Sequence, residues 1–168
     1  MDAGLLLARL AIGLLMAAHG SQKLFGWFGG YGLTGTGGFF EALGFRPGKL
    51  FAAVASVSEV GGGLLLAVGL LEPLAAALIV SLMIVAAVSV HWQHGLFAMS
   101  NGIEVPLLYG VVAATLALTG PGAYSLDAAF GLTALWTPGV VVTALVLAVV
   151  GGVGNLALRK TAPAQVAA

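Results

Sequence analysis

Cysteine is absent from this chain and charge is scarce. Without a thiol there can be no disulfide, no thiolate zinc site and no iron-sulfur cluster. Any redox chemistry must therefore use a bound organic cofactor, a haem, a non-thiolate metal or a partner protein. The charged residues, six Lys or Arg and six Asp or Glu, make up 7% of the 168 residues, while 60% are hydrophobic. A soluble domain carries about 25% charged residues, so a water-facing surface of ordinary size is excluded and a lipid-facing one is implied. The formal net charge is zero, with no basic stripe, which argues against nucleic acid as a partner. The N-terminus also lacks the positive region of a cleavable signal, so the first apolar run is expected to be a retained span.

What is present is a set of long apolar runs. A bilayer core of about 30 Å takes roughly 20 apolar residues in helical form. Five segments approach that length: Gly4 to Phe25, Lys49 to Leu71, Leu74 to Trp92, a shorter Ile103 to Thr119, and Val140 to Leu158. The expected fold is an all-α polytopic membrane helix bundle with four core transmembrane helices and a fifth, C-terminal one. Residues 161–168 are small and polar enough to read as a disordered tail. The connection 26–48 is the one long link. Seven of its first thirteen residues are glycine, which suggests a re-entrant segment or surface lid. Its Gly35-Thr36-Gly37-Gly38 is no dinucleotide fingerprint, because Phe40 stands where a third glycine belongs and no strand precedes it.

With five spans, the first and third connections and the C-terminus share one side, here side B, opposite side A. Lys23, Arg46, Lys49, Arg159 and Lys160 gather there against Arg9 near side A. The positive-inside rule then puts side B in the cytoplasm and the N-terminus outside. Trp27, Trp92 and Trp136 fall at helix ends, as interfacial anchors do.

The first two spans nevertheless carry Arg9, His19, Lys23 and Glu59, and ionisable groups inside a bilayer mark a functional site by default. At 100° per residue Arg9, Gly13, Met16, Gly20 and Lys23 fall on one stripe, with His19 at its border. Ser56, Glu59, Gly63 and Leu66 share a face of the second span by i, i+3, i+4 spacing. At about 1.5 Å per residue from side B, Lys23 lies about 3 Å deep, His19 about 9 Å, Glu59 about 15 Å and Arg9 about 24 Å. The reach of an Arg side chain predicts an ion pair between Arg9 and Glu59. His91 and His94 end the third span in the same leaflet. Asn101-Gly102-Ile103-Glu104 opens the fourth with the pattern of a reciprocal helix cap.

Two chemistries suit these residue types. A bis-histidine haem would need His19 and His91 at one level, and their expected depths differ by roughly 6 Å, which speaks against it. A quinone-type ligand fits better: its oxygens want His, Lys or Arg donors near the membrane surface and its tail wants an apolar cleft. In that reading Arg9 and Glu59 organise the pocket, His19, Lys23 and His91 bind the headgroup, and Glu59 and Glu104 handle protons. No His pair stands at i, i+4 with a third ligand, so no metal site is expected.

The ordered set Arg9-Leu10-Ala11-Ile12-Gly13, His19-Gly20, Lys23-Leu24, Glu59-Val60-Gly61-Gly62, Gly69-Leu70, His91, Gly95, Glu104 and Gly120-Pro121-Gly122-Ala123-Tyr124-Ser125-Leu126-Asp127 resembles the DoxX family of small bacterial membrane proteins. The resemblance covers about residues 5 to 130, implying a DoxX-like domain over 1–130 and an additional helix over 131–160. It implies a multi-pass protein of the bacterial inner (cytoplasmic) membrane, in contact with lipids and with other membrane subunits or oxidoreductases of a respiratory kind. The family takes its name from a thiosulfate:quinone oxidoreductase, so the resemblance points to a quinone-linked oxidoreductase subunit, accessory or catalytic. The alternative is a structural or assembly subunit without catalysis of its own. A transporter would need paired discontinuous helices or an internal repeat, and neither stands in the sequence.

Overall fold

Every apolar run becomes helix, because in lipid the backbone can satisfy its N–H and C=O groups only within the segment. The computed structural model describes residues 1–160. Helix α1 spans Asp2–Phe25, α2 Gly32–Ala42, α3 Gly48–Val68, α4 Glu72–Ala86, α5 Glu104–Thr119, the short α6 Leu126–Ala129, and α7 Pro138–Ala157. Beyond Ala86, α4 runs on through a π-helical turn, Ala87–His91, and a 3₁₀ turn, Trp92–His94. Among the described residues, four helices are long and apolar enough to cross a membrane: Asp2–Phe25, Gly48–Val68, Glu72–His94 and Pro138–Ala157. At 16 residues, α5 is shorter. It covers about 24 Å between Glu104 and the Gly120-Pro121-Gly122 turn. The proteins' outer faces carry large apolar side chains such as Leu7, Leu64, Leu107 and Leu147, all exposed. This is a multi-pass helical membrane protein.

Lipid tails are as apolar as leucine, so close packing through small residues must hold such helices together. Along α1, Gly13 abuts Gly63 and Ala67 of α3, and Gly20 abuts Ser56 and Val60. That seam sets two antiparallel helices in a register that places Arg9 against Gly69. Helix α4 is central: it packs against α3, α5 and α7. Its Ala75, Ala76, Ile79 and Met83 join Met16, Leu66, Ala113, Leu116 and Val141 in the core.

The connection 26–48 is largely helical. It holds α2, which lies against α3 and α1. Thr36 donates to the Lys23 carbonyl at 3.3 Å, Glu41 accepts from the Gly48 N–H at 3.1 Å, and Gly37 sits against Lys49. Glycine here serves close approach to α3, a use that composition alone does not distinguish from flexibility. The expected tail, residues 161–168, lies outside the described residues.

A cavity at side B and a sealed cluster at side A

The buried ionisable residues separate into two places. At side B a cavity of about 790 Å³ is lined by α1, α2, α3, α4 and α7. Phe39, Phe40, Phe45, Phe51 and Val54 make its walls apolar, and its polar groups include Lys23, Glu59, Thr36, Ser89, His91 and Asn155. Its rim reaches the protein surface at Tyr31, Phe39 and Val54, which are exposed. Glu59 is only 3% exposed and forms an ion pair with Lys23, whose side chain is 34% exposed. Lys23 Nζ donates to Glu59 Oε1, while Glu59 Oε2 has no hydrogen-bond partner. The π-helical turn of α4 supplies Ser89, Val90 and His91 to the wall, and such turns inside α-helices are frequent at functional sites. His91 Nδ1 lies 2.7 Å from the Asn101 carbonyl.

The expected Arg9–Glu59 pair is overturned. In the seam register, Arg9 lies opposite Gly69, about ten residues or roughly 15 Å along α3 from Glu59, too far for an Arg side chain to close. Lys23 instead reaches down about one turn from the helix end to the level of Glu59. His19 is exposed, on the outer side of α1, where it contacts Gln22 at 3.3 Å and meets the Tyr109 ring edge-on at 6.0 Å. It does not line the cavity, because a stripe's border residue turns outward once a neighbour packs at the stripe's centre. His94 is exposed and also outside the cavity. The reciprocal cap at Asn101 and Glu104 is likewise absent: Asn101 is left-handed (φ 65°), whereas an N-cap needs extended backbone. Glu104 Oε2 accepts instead from the Ala98 N–H at 2.7 Å and holds the 95–104 loop, away from the cavity.

At side A, Arg9, Glu72 and Asp127 are all fully buried. Arg9 donates to the carbonyls of Pro121 and Tyr124. Asp127 accepts from the N–H groups of Leu71 at 2.8 Å and Glu72 at 3.0 Å, and from the Trp136 indole at 2.9 Å. It thereby caps α4, and its own N–H returns to the Gly69 carbonyl at 2.8 Å. Leu71 is held at φ 50° by this contact, a conformation costly for a branched side chain. Gly69 is left-handed too, and a Cβ there would run into the Arg9 guanidinium. Glu72, in the field of Arg9 and Asp127, has both carboxylate oxygens unpartnered. The sequence reading missed Glu72 and Asp127 as members of one cluster. The one signal was an acidic residue at a span entry and another in the motif before Trp136.

The sequence model of the DoxX family matches residues 4–92. The chain belongs to the DoxX family. The matched stretch runs from the first turn of α1 through the π-helical turn of α4, and so includes Arg9, Lys23, Glu59 and His91. No curated protein and no solved structure matches this DoxX chain.

Proposed function

We propose that this DoxX protein binds a lipid-soluble, quinone-type ring compound in the side-B cavity, as a subunit of a membrane oxidoreductase assembly in the bacterial inner membrane. The supporting observation is a single cavity that combines aromatic walls with the Lys23–Glu59 pair, whose carboxylate is buried and whose ammonium is partly exposed. Pockets for such ligands are mostly apolar, with a few fixed polar groups that orient the headgroup. Lys23, partly exposed, keeps ammonium protons free for a ring oxygen, and Phe39 and Val54 at the rim suit a hydrocarbon tail leaving toward lipid. When bound, the ring would supply the electron-carrying chemistry that a chain without cysteine lacks. Lys23, Glu59 and His91 would orient it; Arg9, His19 and Glu104 have no contact with the cavity and are assigned no role there.

The test is extraction of the protein purified in mild detergent, followed by mass spectrometry of every lipid-soluble molecule it carries. A bound ring compound is expected with the native chain and lost when Ala55→Trp or Ala86→Trp fills the cavity. Native protein that neither carries nor takes up any such compound would leave the structural-subunit reading in its place.

A further inference from the structure

We infer that the segment from Trp92 to Ile103, which joins α4 to α5, is a membrane anchor seated in the headgroup and upper acyl layer of the side-B leaflet. Its twelve residues include no Asp, Glu, Lys or Arg, where a water-facing stretch of that length carries about three. The side chains it presents outward are large and apolar: Trp92, Leu96, Phe97 and Met99 are exposed, Met99 completely. Polar side chains serve the loop itself. Ser100 Oγ lies 2.9 Å from the carbonyls of both His94 and Phe97, and the Glu104 carboxylate accepts from the Ala98 N–H.

The backbone is closed in the same way. From Gly95 to Glu104, seven of the ten N–H groups find acceptors inside the segment: those of Gly95, Ser100, Asn101, Gly102, Ile103 and Glu104 on backbone carbonyls, and that of Ala98 on Glu104. A loop in water has no need of such closure, whereas one in lipid has few other partners. The N–H groups of Leu96, Phe97 and Met99 have no acceptor among the described residues, and Gln93, His94 and Asn101 are exposed. These groups set the depth, because they need headgroup oxygens or interfacial water and would be costly in the hydrocarbon centre. The apolar surface continues into the bilayer through Leu107, Leu108 and Val111, all exposed on the first turns of α5. At about 24 Å, α5 is also about 6 Å short of a 30 Å core, so the segments at its ends lie beside lipid. The contact of His91 Nδ1 with the Asn101 carbonyl then ties the anchor to the π-helical turn that lines the cavity.

Because the chain has no cysteine, one nitroxide can be placed by Met99→Cys and, separately, by Phe97→Cys in the full-length protein reconstituted into phosphatidylcholine and phosphatidylglycerol vesicles. Collisions with oxygen, which concentrates in lipid, and with a water-soluble nickel chelate are read by paramagnetic resonance, with Leu147→Cys as the lipid-facing reference and a free nitroxide as the aqueous one. At both loop sites the nickel collision rate is expected to fall several-fold below that of the free nitroxide while oxygen collisions stay high, with less oxygen preference than at Leu147→Cys. Nickel collisions as frequent as in water would place the loop in solvent and overturn the anchor. Low collision rates with both reagents would overturn it too, by showing the apolar side chains covered by protein, whether a second copy or another subunit.

Discussion

Removing Lys23 would leave the Glu59 carboxylate buried without a cation or a donor, so Lys23→Met should cost more than the contact itself is worth. Breaking a fully buried pair costs roughly 3–5 kcal/mol; with Lys23 at 34% exposure the expected loss is nearer 2 kcal/mol. Lys23→Met combined with Glu59→Gln should recover part of that loss, and a double-mutant cycle read by unfolding in detergent checks it. Asp127 is the stronger structural residue. Asp127→Ala would orphan the Leu71 and Glu72 N–H groups and the Trp136 indole at once, for an expected loss of about 2–4 kcal/mol. Asp127→Asn keeps one acceptor oxygen and should lose about half as much. Arg9→Lys retains the charge but not the fork that serves two carbonyls, so it too should lower the melting temperature. At this scale the sequence made the burial of Arg9 and Glu59 legible, because charge on a glycine-lined stripe must face protein. It did not reveal their partners, since which groups meet depends on interhelical register.

Helix by helix, the seam between α1 and α3 carries the association. Gly13→Ala would place a methyl 2.6 Å from the Ala67 nitrogen, backbone that cannot swing aside, and should destabilise by about 1–3 kcal/mol. Gly154→Ala on α7 has open space around its Cβ and should be neutral or slightly stabilising. The pair is measured side by side as melting temperatures. Periodicity made α1, α3, α4 and α7 readable, as well as the shared face of Ser56, Glu59, Gly63 and Leu66, all buried. It failed for α2, where glycine spacing serves packing rather than flexibility, and for the π-helical turn of α4, which leaves no period of its own in five residues.

Across the whole molecule, the two ends are closed by different means. Side A is tied by Asp2 accepting from the Ala123 N–H at 3.0 Å and by the Arg9 and Asp127 contacts. At side B the end of α7 clamps the link between α2 and α3: Arg159 donates to the Leu43 carbonyl at 2.9 Å and stacks over Phe45, and the Lys160 N–H reaches Gly44 at 2.8 Å. Arg159→Ala should therefore speed hydrogen exchange across Leu43 to Arg46, next to the cavity, while the side-A amides of Leu71 and Glu72 stay protected. The positive-inside count predicts side B in the cytoplasm. Because the native chain has no cysteine, a single Arg46→Cys can be tested with an impermeant thiol reagent, and labelling only after the membrane is opened is the expected result in intact cells.

By itself the sequence determined what is local or additive: helices throughout, a lipid-facing exterior, no thiol chemistry, and buried polar residues on the first two long helices. Each follows from composition or from a period that every residue obeys wherever its neighbours lie. The tertiary structure decided which cation meets Glu59, that His19 turns outward, and that Glu72 and Asp127 join Arg9 in a sealed cluster. Those outcomes rest on the register set where Gly13 meets Gly63 and on a loop folded back across side A. A shift of one helical turn, about 5 Å, would exchange one partner for another without altering a single residue.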